Sequence, residues 1–338
     1  MFIMNPNGVE QPSRLKGVVG IQNMGNTCYA NTVLQLLRTC QKWNLHCLTH
    51  EMDPNKKIIA AYKDMLATMW SAYKPAYVRP LAFMADIRAA VQNTVYDMFA
   101  MPMQNDAQEY LGYLLDKFHE ELKVQVDVPD IVPQDMAEMA KQAWDRFLSK
   151  NTSVVVETFF GMMRKMVICS NCSTRTYQWE LFNMLKIPCY GGATLHDWIE
   201  KEVNEVTDID EFKCNTCDAK HPAKKYSHLW KLPQHLFIVL DRFQQNGMKA
   251  INVCPIMERL SFPQYFAEEA QNLGLHHNGY QLCGIADHHG GQIHGGHYTA
   301  QFKHPITGEW WFFDDERAHE MHAPQFSSSA YILSYRMD

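Results

Sequence analysis

From Gly20 to Leu37 the chain reads GIQNMGNTCYANTVLQLL, a glycine-punctuated turn that runs directly into an amphipathic helix. Tyr29, Val33, Leu36, Leu37 and Cys40 recur at helical spacing from Thr27 onward and mark one apolar stripe. Cys28 therefore falls at or near the helix N-terminus, where unpaired backbone N–H groups and the helix dipole favour negative charge. That position draws a thiol toward thiolate and supplies donors for the oxyanion of a tetrahedral intermediate. Gly20 and Gly25 permit tight turns near the sulfur, leaving room for a substrate chain. Taken alone, the segment fits a buried structural cysteine opening an ordinary helix equally well.

Outward from this helix the pattern stays helical for a third of the chain. A second amphipathic helix is expected from near Asn105, with Asn105 and Gln108 as N-cap and N3 of a capping-box variant. Tyr110, Leu111, Leu114, Leu115 and Phe118 line its buried face. After Pro129 and Pro133, a further helical stretch runs through Met139, Trp144 and Leu148. From Ser153, short β-branched and aromatic runs such as Val154-Val155-Val156 and Leu236 to Leu240 predict strands. Helices first and strands afterwards predict an α+β fold rather than a doubly wound parallel sheet. The polar residues 1 to about 18 are expected to form a loose arm.

A length of 338 residues predicts two or three lobes, and an apolar fraction of 46% suffices for a sizeable core. The net charge of -6, with both signs interspersed, argues against nucleic acid, which needs clustered Lys and Arg. There is no apolar run of signal-peptide type at the start and no membrane-spanning window. The ten cysteines are spread thinly, so reduced thiols in the cytoplasm or nucleus are expected, with no membrane partner.

Near the C-terminus, Gly295-Gly296-His297-Tyr298 precedes one apolar run, and Trp310-Trp311-Phe312-Phe313-Asp314-Asp315 forms another. The two read as a β-hairpin turning near Ile306 and Thr307, which brings His297 and Asp314 close across the ladder. A carboxylate in reach holds an imidazole in one tautomer and frees its other nitrogen to take a thiol proton. Cys169-Ser170-Asn171-Cys172 and Cys214-Asn215-Thr216-Cys217 form a separate group. Four thiolates at knuckle spacing favour one closed structural Zn²⁺ site per chain over four free thiols. The long segment between the pairs must leave and return, as a β-excursion would. No organic cofactor is expected.

These motifs together resemble the ubiquitin-specific proteases. Gly20 to Leu37 is similar to their Cys box, and Gly295 to Tyr298 through Asp315 to their His box. Gln104 to Tyr110 (QNDAQEY) resembles the family's Q-Q-D-A-x-E-F segment, with Asn105 and Tyr110 as departures. Phe212 to Phe243 resembles the second zinc knuckle and the strand after it, with Leu240-Asp241-Arg242-Phe243 where L-K-R-F is usual. The resemblance covers residues 18 to 335.

It implies a papain-like cysteine protease core: a helical thumb (about 19–150), zinc-bearing fingers (about 153–235) and a β-rich palm (about 236–338). It implies a deubiquitinase that hydrolyses isopeptide and peptide bonds after ubiquitin's last glycine through a thioester. Cys28 would be the nucleophile, His297 the base, Asp314 its orienter and Asn23 the side-chain oxyanion donor. Asp106, Glu109, Gly290, Gly291 and Asp315 would serve the ubiquitin tail and the site's polarisation. Ubiquitin and ubiquitinated proteins are the implied partners, with a protein activator or adaptor for targeting. A protease for another Gly-Gly modifier and a catalytically weak ubiquitin-binding module remain as alternatives.

Overall fold

Glycine at position 20 decides how the first segment sits. A Cβ there would meet the main chain of Glu316, with its Cα only 2.7 Å away, so the segment lies flat on the C-terminal part of the chain. The structure, a computed structural model, describes residues 3–4, 10–11, 16–129, 131–189, 194–204, 206–243, 248–274, 279–292 and 295–338. Most of the arm predicted over residues 1 to about 18 lies outside them.

In chain order, the short pair β1 (Ile3–Met4) and β2 (Glu10–Gln11) is followed by β3 (Gly20–Ile21) and α1 (Cys28–Leu37). Then come α2 (Gln41–Thr49), α3 (Lys57–Trp70), β4 (Tyr77–Val78), α4 (Leu81–Val91) and α5 (Ala107–Leu122). The helical lobe closes with α6 (Met136–Asn151) and α7 (Val154–Phe159). Next are β5 (Gly161–Cys169), β6 (Arg175–Phe182), β7 (Met184–Pro188), α8 (Leu195–Val203), β8 (Val206–Cys214) and β9 (Ala219–Lys231). The last third holds β10 (His235–Asp241), β11 (Arg259–Leu260), α9 (Glu268–Asn272) and β12 (Tyr280–Gln292). It ends in β13 (Gly295–Lys303), β14 (Trp310–Asp314), β15 (Arg317–Met321) and β16 (Ala330–Met337).

Among the described residues, the palm sheet runs β15-β14-β13-β12-β16-β10-β7, with β11 beside β12. A separate antiparallel sheet, β6-β5-β9-β8, forms the fingers. Strand β10 explains its own apolar sequence. Phe237 and Val239 face the helical core with Ala286, Tyr298 and Ile332, while Leu236, Ile238 and Leu240 join a second core with α8. A strand covered on both faces reads as a continuous apolar run. In the helical core, Trp43 is fully buried and its indole N–H donates to the Tyr62 hydroxyl at 3.2 Å. Tyr62, Phe118 and Phe159 pack around its ring. Burial of one such side chain is worth about 1.5–3 kcal/mol. The fold is α+β, as the segregated pattern predicts.

Three expectations change. The Val154-Val155-Val156 run is helix α7, because the Ser153 hydroxyl caps it by accepting from the Val156 N–H at 3.3 Å. Val155 and Val156 are buried, and α7 carries the helical lobe beyond residue 150. Asp106, not Asn105, caps α5 by accepting from the Gln108 N–H at 2.6 Å. The Asn105 side-chain amide donates instead to the Met98 and Met103 carbonyls. Finally, β7 lies within the range assigned to the fingers but pairs parallel with β10 in the palm, burying Leu185 and Ile187 in the second core. The excursion between the cysteine pairs therefore visits the palm and contains a helix, α8.

Candidate active site

Cys28 is the first residue of α1, and the turn before it is fixed by the Asn23 side chain. Asn23 Oδ1 accepts from the N–H groups of Gly25 at 3.0 Å and Thr27 at 3.1 Å. Thr27 Oγ1 accepts from Met24 N–H at 2.8 Å. The segment is pinned to the palm by the Ile21 N–H, which donates to the Asp315 carbonyl at 2.9 Å.

The Cys28 thiol is 2% exposed. Its pKa is raised, chiefly by burial, and the nearby Asp315 charge adds to the rise. Backbone N–H groups of Tyr298, Tyr29 and Cys28 itself pull it back only in part. The expectation that a helix N-terminus draws this thiol toward thiolate is thus outweighed by desolvation. The sulfur therefore depends on a nearby base to become thiolate.

Against it stands β13, whose Tyr298 amide reaches the sulfur and whose His297 is the residue just before it in the chain. The β13–β14 ladder pairs Ala300 with Phe313 and Lys303 with Trp310, so His297 and Asp314 meet on a diagonal rather than directly opposite. His297 Nε2 donates to Asp314 Oδ1 at 2.6 Å, which leaves Nδ1 for a second partner. Both side chains are about two-fifths exposed, at 42% and 38%. Asp315 adopts the left-handed conformation, φ 49°, and turns its carboxylate toward the Cys box. There Asn23 Nδ2 donates to Oδ2 at 2.8 Å and Asn31 Nδ2 to Oδ1 at 2.7 Å. Burial raises the Asp315 pKa, and these two amides oppose the rise.

Next to this cluster is the N-terminus of α5. Both Asp106 oxygens accept from the Tyr331 hydroxyl, at 2.9 and 2.8 Å, and burial raises its pKa. Glu109 is exposed in the first turn, and its charge together with that of Asp106 reaches Tyr298. Gly290 and Gly291 are exposed at the end of β12. They belong to an extended strand rather than to a loop, because the Gly291 carbonyl accepts from Lys249 N–H at 2.9 Å. The tip after Gln292 lies outside the described residues.

A family model described as ubiquitin carboxyl-terminal hydrolase matches residues 19–335. The chain belongs to this family.

"Ubiquitin carboxyl-terminal hydrolase 2" of Bos taurus is 28% identical over 95% of this chain, and the chain spans 55% of that relative. The Gallus gallus protein of the same name is 29% identical, over 96% of this chain and 94% of its own length. The chain thus spans little more than half the length of the mammalian relatives it matches. Among solved structures, the SAGA DUB module of Ubp8, Sgf11, Sus1 and Sgf73 bound to monoubiquitin gives a TM-score of 0.76 at 20% identity. That match covers 98% of this chain and 71% of the other. The same module bound to ubiquitin aldehyde gives 0.74, also at 20% identity. At that identity the likeness concerns the fold alone.

In this family member the four knuckle cysteines do converge. The sulfurs of Cys169, Cys172, Cys214 and Cys217 lie within 4.8 Å of one another, and Cys172 and Cys214 are 3.6 Å apart. Thiolates held tetrahedrally about 2.3 Å from a zinc ion stand about 3.8 Å from each other, so the spacing fits a metal ion. Asn171 Nδ2 donates to Cys217 Sγ at 3.4 Å, an outer contact suited to a thiolate. The remaining thiols Cys40, Cys47, Cys189, Cys254 and Cys283 are buried and form no disulfide.

Motif reading missed Asn31, Tyr298 and Tyr331 as members of this site. Asn31 carried a signal: an amide buried in the first turn of an apolar helix is costly unless something across the cleft accepts from it. Tyr331 carried none, because its place beside Asp106 depends on the register of β16.

Proposed function

We propose that this member of the family is a deubiquitinase that cleaves after the terminal glycine of ubiquitin, with Cys28 as its nucleophile. The observation that carries this reading is the buried thiol at the head of α1, set against the strand that holds His297 hydrogen-bonded to Asp314. His297 Nδ1 takes the thiol proton as the sulfur attacks the glycine carbonyl, then delivers it to the departing lysine amine. Water, activated by the same imidazole, hydrolyses the thioester and frees the thiol. Asp314 keeps the ring in the tautomer that this sequence needs.

The oxyanion would meet the backbone N–H of Cys28 and the second proton of Asn23 Nδ2, the first being committed to Asp315. Asn23→Ala is expected to lower kcat by about 10²–10³-fold, a typical loss for one oxyanion donor. Steady-state hydrolysis of a ubiquitin C-terminal amide checks this, and an unchanged kcat assigns the role to backbone donors alone.

Exposed Glu109 is placed to pair with an arginine of the Leu-Arg-Leu-Arg-Gly-Gly tail, while Asp106, held by its cap and Tyr331, lines the path. Gly290 and Gly291 offer a wall without side chains beside it. We assign the four-cysteine cluster to one Zn²⁺ that cross-links the fingers and takes no part in the chemistry.

Incubation with ubiquitin bearing a C-terminal electrophile tests the reading. A single adduct mapped to Cys28 is expected, and competition with probes built on other Gly-Gly modifiers separates them from ubiquitin. An adduct on a different cysteine, or none, would remove the nucleophile assignment.

A further inference from the structure

Gln104 lies two residues ahead of the Asp106 cap, half-buried between thumb and palm. Its side-chain amide grips one residue of the palm from two sides. Nε2 donates to the Gly296 carbonyl at 2.5 Å, and Oε1 accepts from the Gly296 N–H at 2.8 Å. Those are the two bonds that a neighbouring strand would supply, here delivered across 192 positions of sequence.

Gly296 needs them for a local reason. The β12–β13 register shifts between the His289–His297 and Gln292–Gly295 pairs, and Gly296 lies inside that break. Its φ is +153°, and a Cβ would run into the His289 carbonyl and lie 2.7 Å from His288 Nε2. No side chain is tolerated there, so none can anchor the peptide, and glycine adds its own freedom. Yet the next residue is His297, whose ring must hold one position between Asp314 and the sulfur. A 1 Å error in such placement costs about 10²-fold in rate.

We propose that Gln104 is a positioning residue of the catalytic centre, clamping the Gly296 peptide so that His297 is held in register with Cys28. This rests on the reading of His297 as the base. The clamp also ties the imidazole to α5, whose first turn carries Asp106 and Glu109, so the tail-binding helix end and the base move as one piece.

The test compares wild type, Gln104→Ala and Gln104→Glu on ubiquitin carrying a C-terminal fluorogenic amide. Ubiquitin affinity in a Cys28→Ala background and thermal unfolding are measured alongside. Gln104→Ala is expected to lower kcat by about 10–10²-fold while KM, ubiquitin affinity and unfolding temperature stay near wild type. Gln104→Glu keeps the acceptor for the Gly296 N–H but sets a carboxylate oxygen against its carbonyl. Protonation turns that oxygen into a donor, so the ratio of its kcat to that of wild type rises from about pH 8 to about pH 5.5.

A readout that needs no ubiquitin is the rate of Cys28 alkylation by iodoacetamide at neutral pH. It falls in Gln104→Ala, because a displaced imidazole holds less of the thiol as thiolate. Should wild type fail on the ubiquitin amide while this difference persists, the substrate reading is lost and the clamp stands. An unchanged kcat and alkylation rate in Gln104→Ala, or a loss carried by KM and affinity, overturns the clamp. If Gln104→Ala does not fold, a pH-independent kcat ratio for Gln104→Glu overturns it equally.

Discussion

Cys28→Ala is expected to abolish hydrolysis of a ubiquitin C-terminal amide, by at least about 10⁴-fold, while ubiquitin still binds. The reaction is covalent, and no other cysteine can substitute: Cys40, Cys47, Cys189, Cys254 and Cys283 are buried, and the knuckle thiols belong to the fingers. Removing one sulfur from a site that is 2% exposed leaves only a small void, so the fold should tolerate it. Asp106, Glu109 and the β12 glycines are untouched, and these are the groups proposed to hold the tail. Fluorogenic turnover and titration calorimetry on the same sample separate the two effects. Turnover at the wild-type rate would show that the sulfur is not the nucleophile.

Cys214→Ser is expected to unravel the end of the fingers while the palm and thumb stay folded. The finger strands bury little: β6 has no fully buried residue, and in β8 only Cys214 itself is buried. Two strands with so thin a core gain little from apolar burial, so a metal at the proposed four-cysteine site would be what holds their ends. Structural zinc contributes about 10–16 kcal/mol in small knuckle peptides, comparable with the whole stability of a domain. Amide hydrogen exchange should show β5, β8 and β9 losing protection near the cysteines while β12 and β16 keep theirs. Elemental analysis should find about one zinc per wild-type chain. A metal-free preparation with protected finger amides would overturn the assignment.

The sequence disclosed the placement of the candidate site residues better than the scaffolding. Cys28 and the His297–Asp314 pair were legible because each owes its place to a local signal: a stripe that starts a helix, and a hairpin with a countable turn. The knuckles were legible because the Cys-x-x-Cys spacing is itself the geometry. Where local preference met tertiary context, the reading slipped. Three consecutive valines predict a strand, yet a serine cap and a place in the helical core made α7. The fingers range absorbed β7 because a parallel pairing with β10 leaves no mark on the strand that joins. The acidity of Cys28 was misjudged for a related reason: the helix N-terminus is visible in sequence, whereas the burial that outweighs it arises from β13 across the cleft. Asn31 and Gln104 act over distances of 284 and 192 residues, and only assembly reveals such partners.

The placement of β16 sets when the molecule can begin to act during its synthesis. Although made last among the described strands, it is an interior member of the palm sheet, flanked by β12 and β10. While Ala330–Met337 is still inside the ribosomal exit tunnel, those two neighbours have nothing to join them, and Tyr331 is absent from beside Asp106. The segment bearing Cys28 is therefore made long before the palm can close, and the site proposed here is complete only once Ala330–Met337 has left the tunnel and joined β12 and β10.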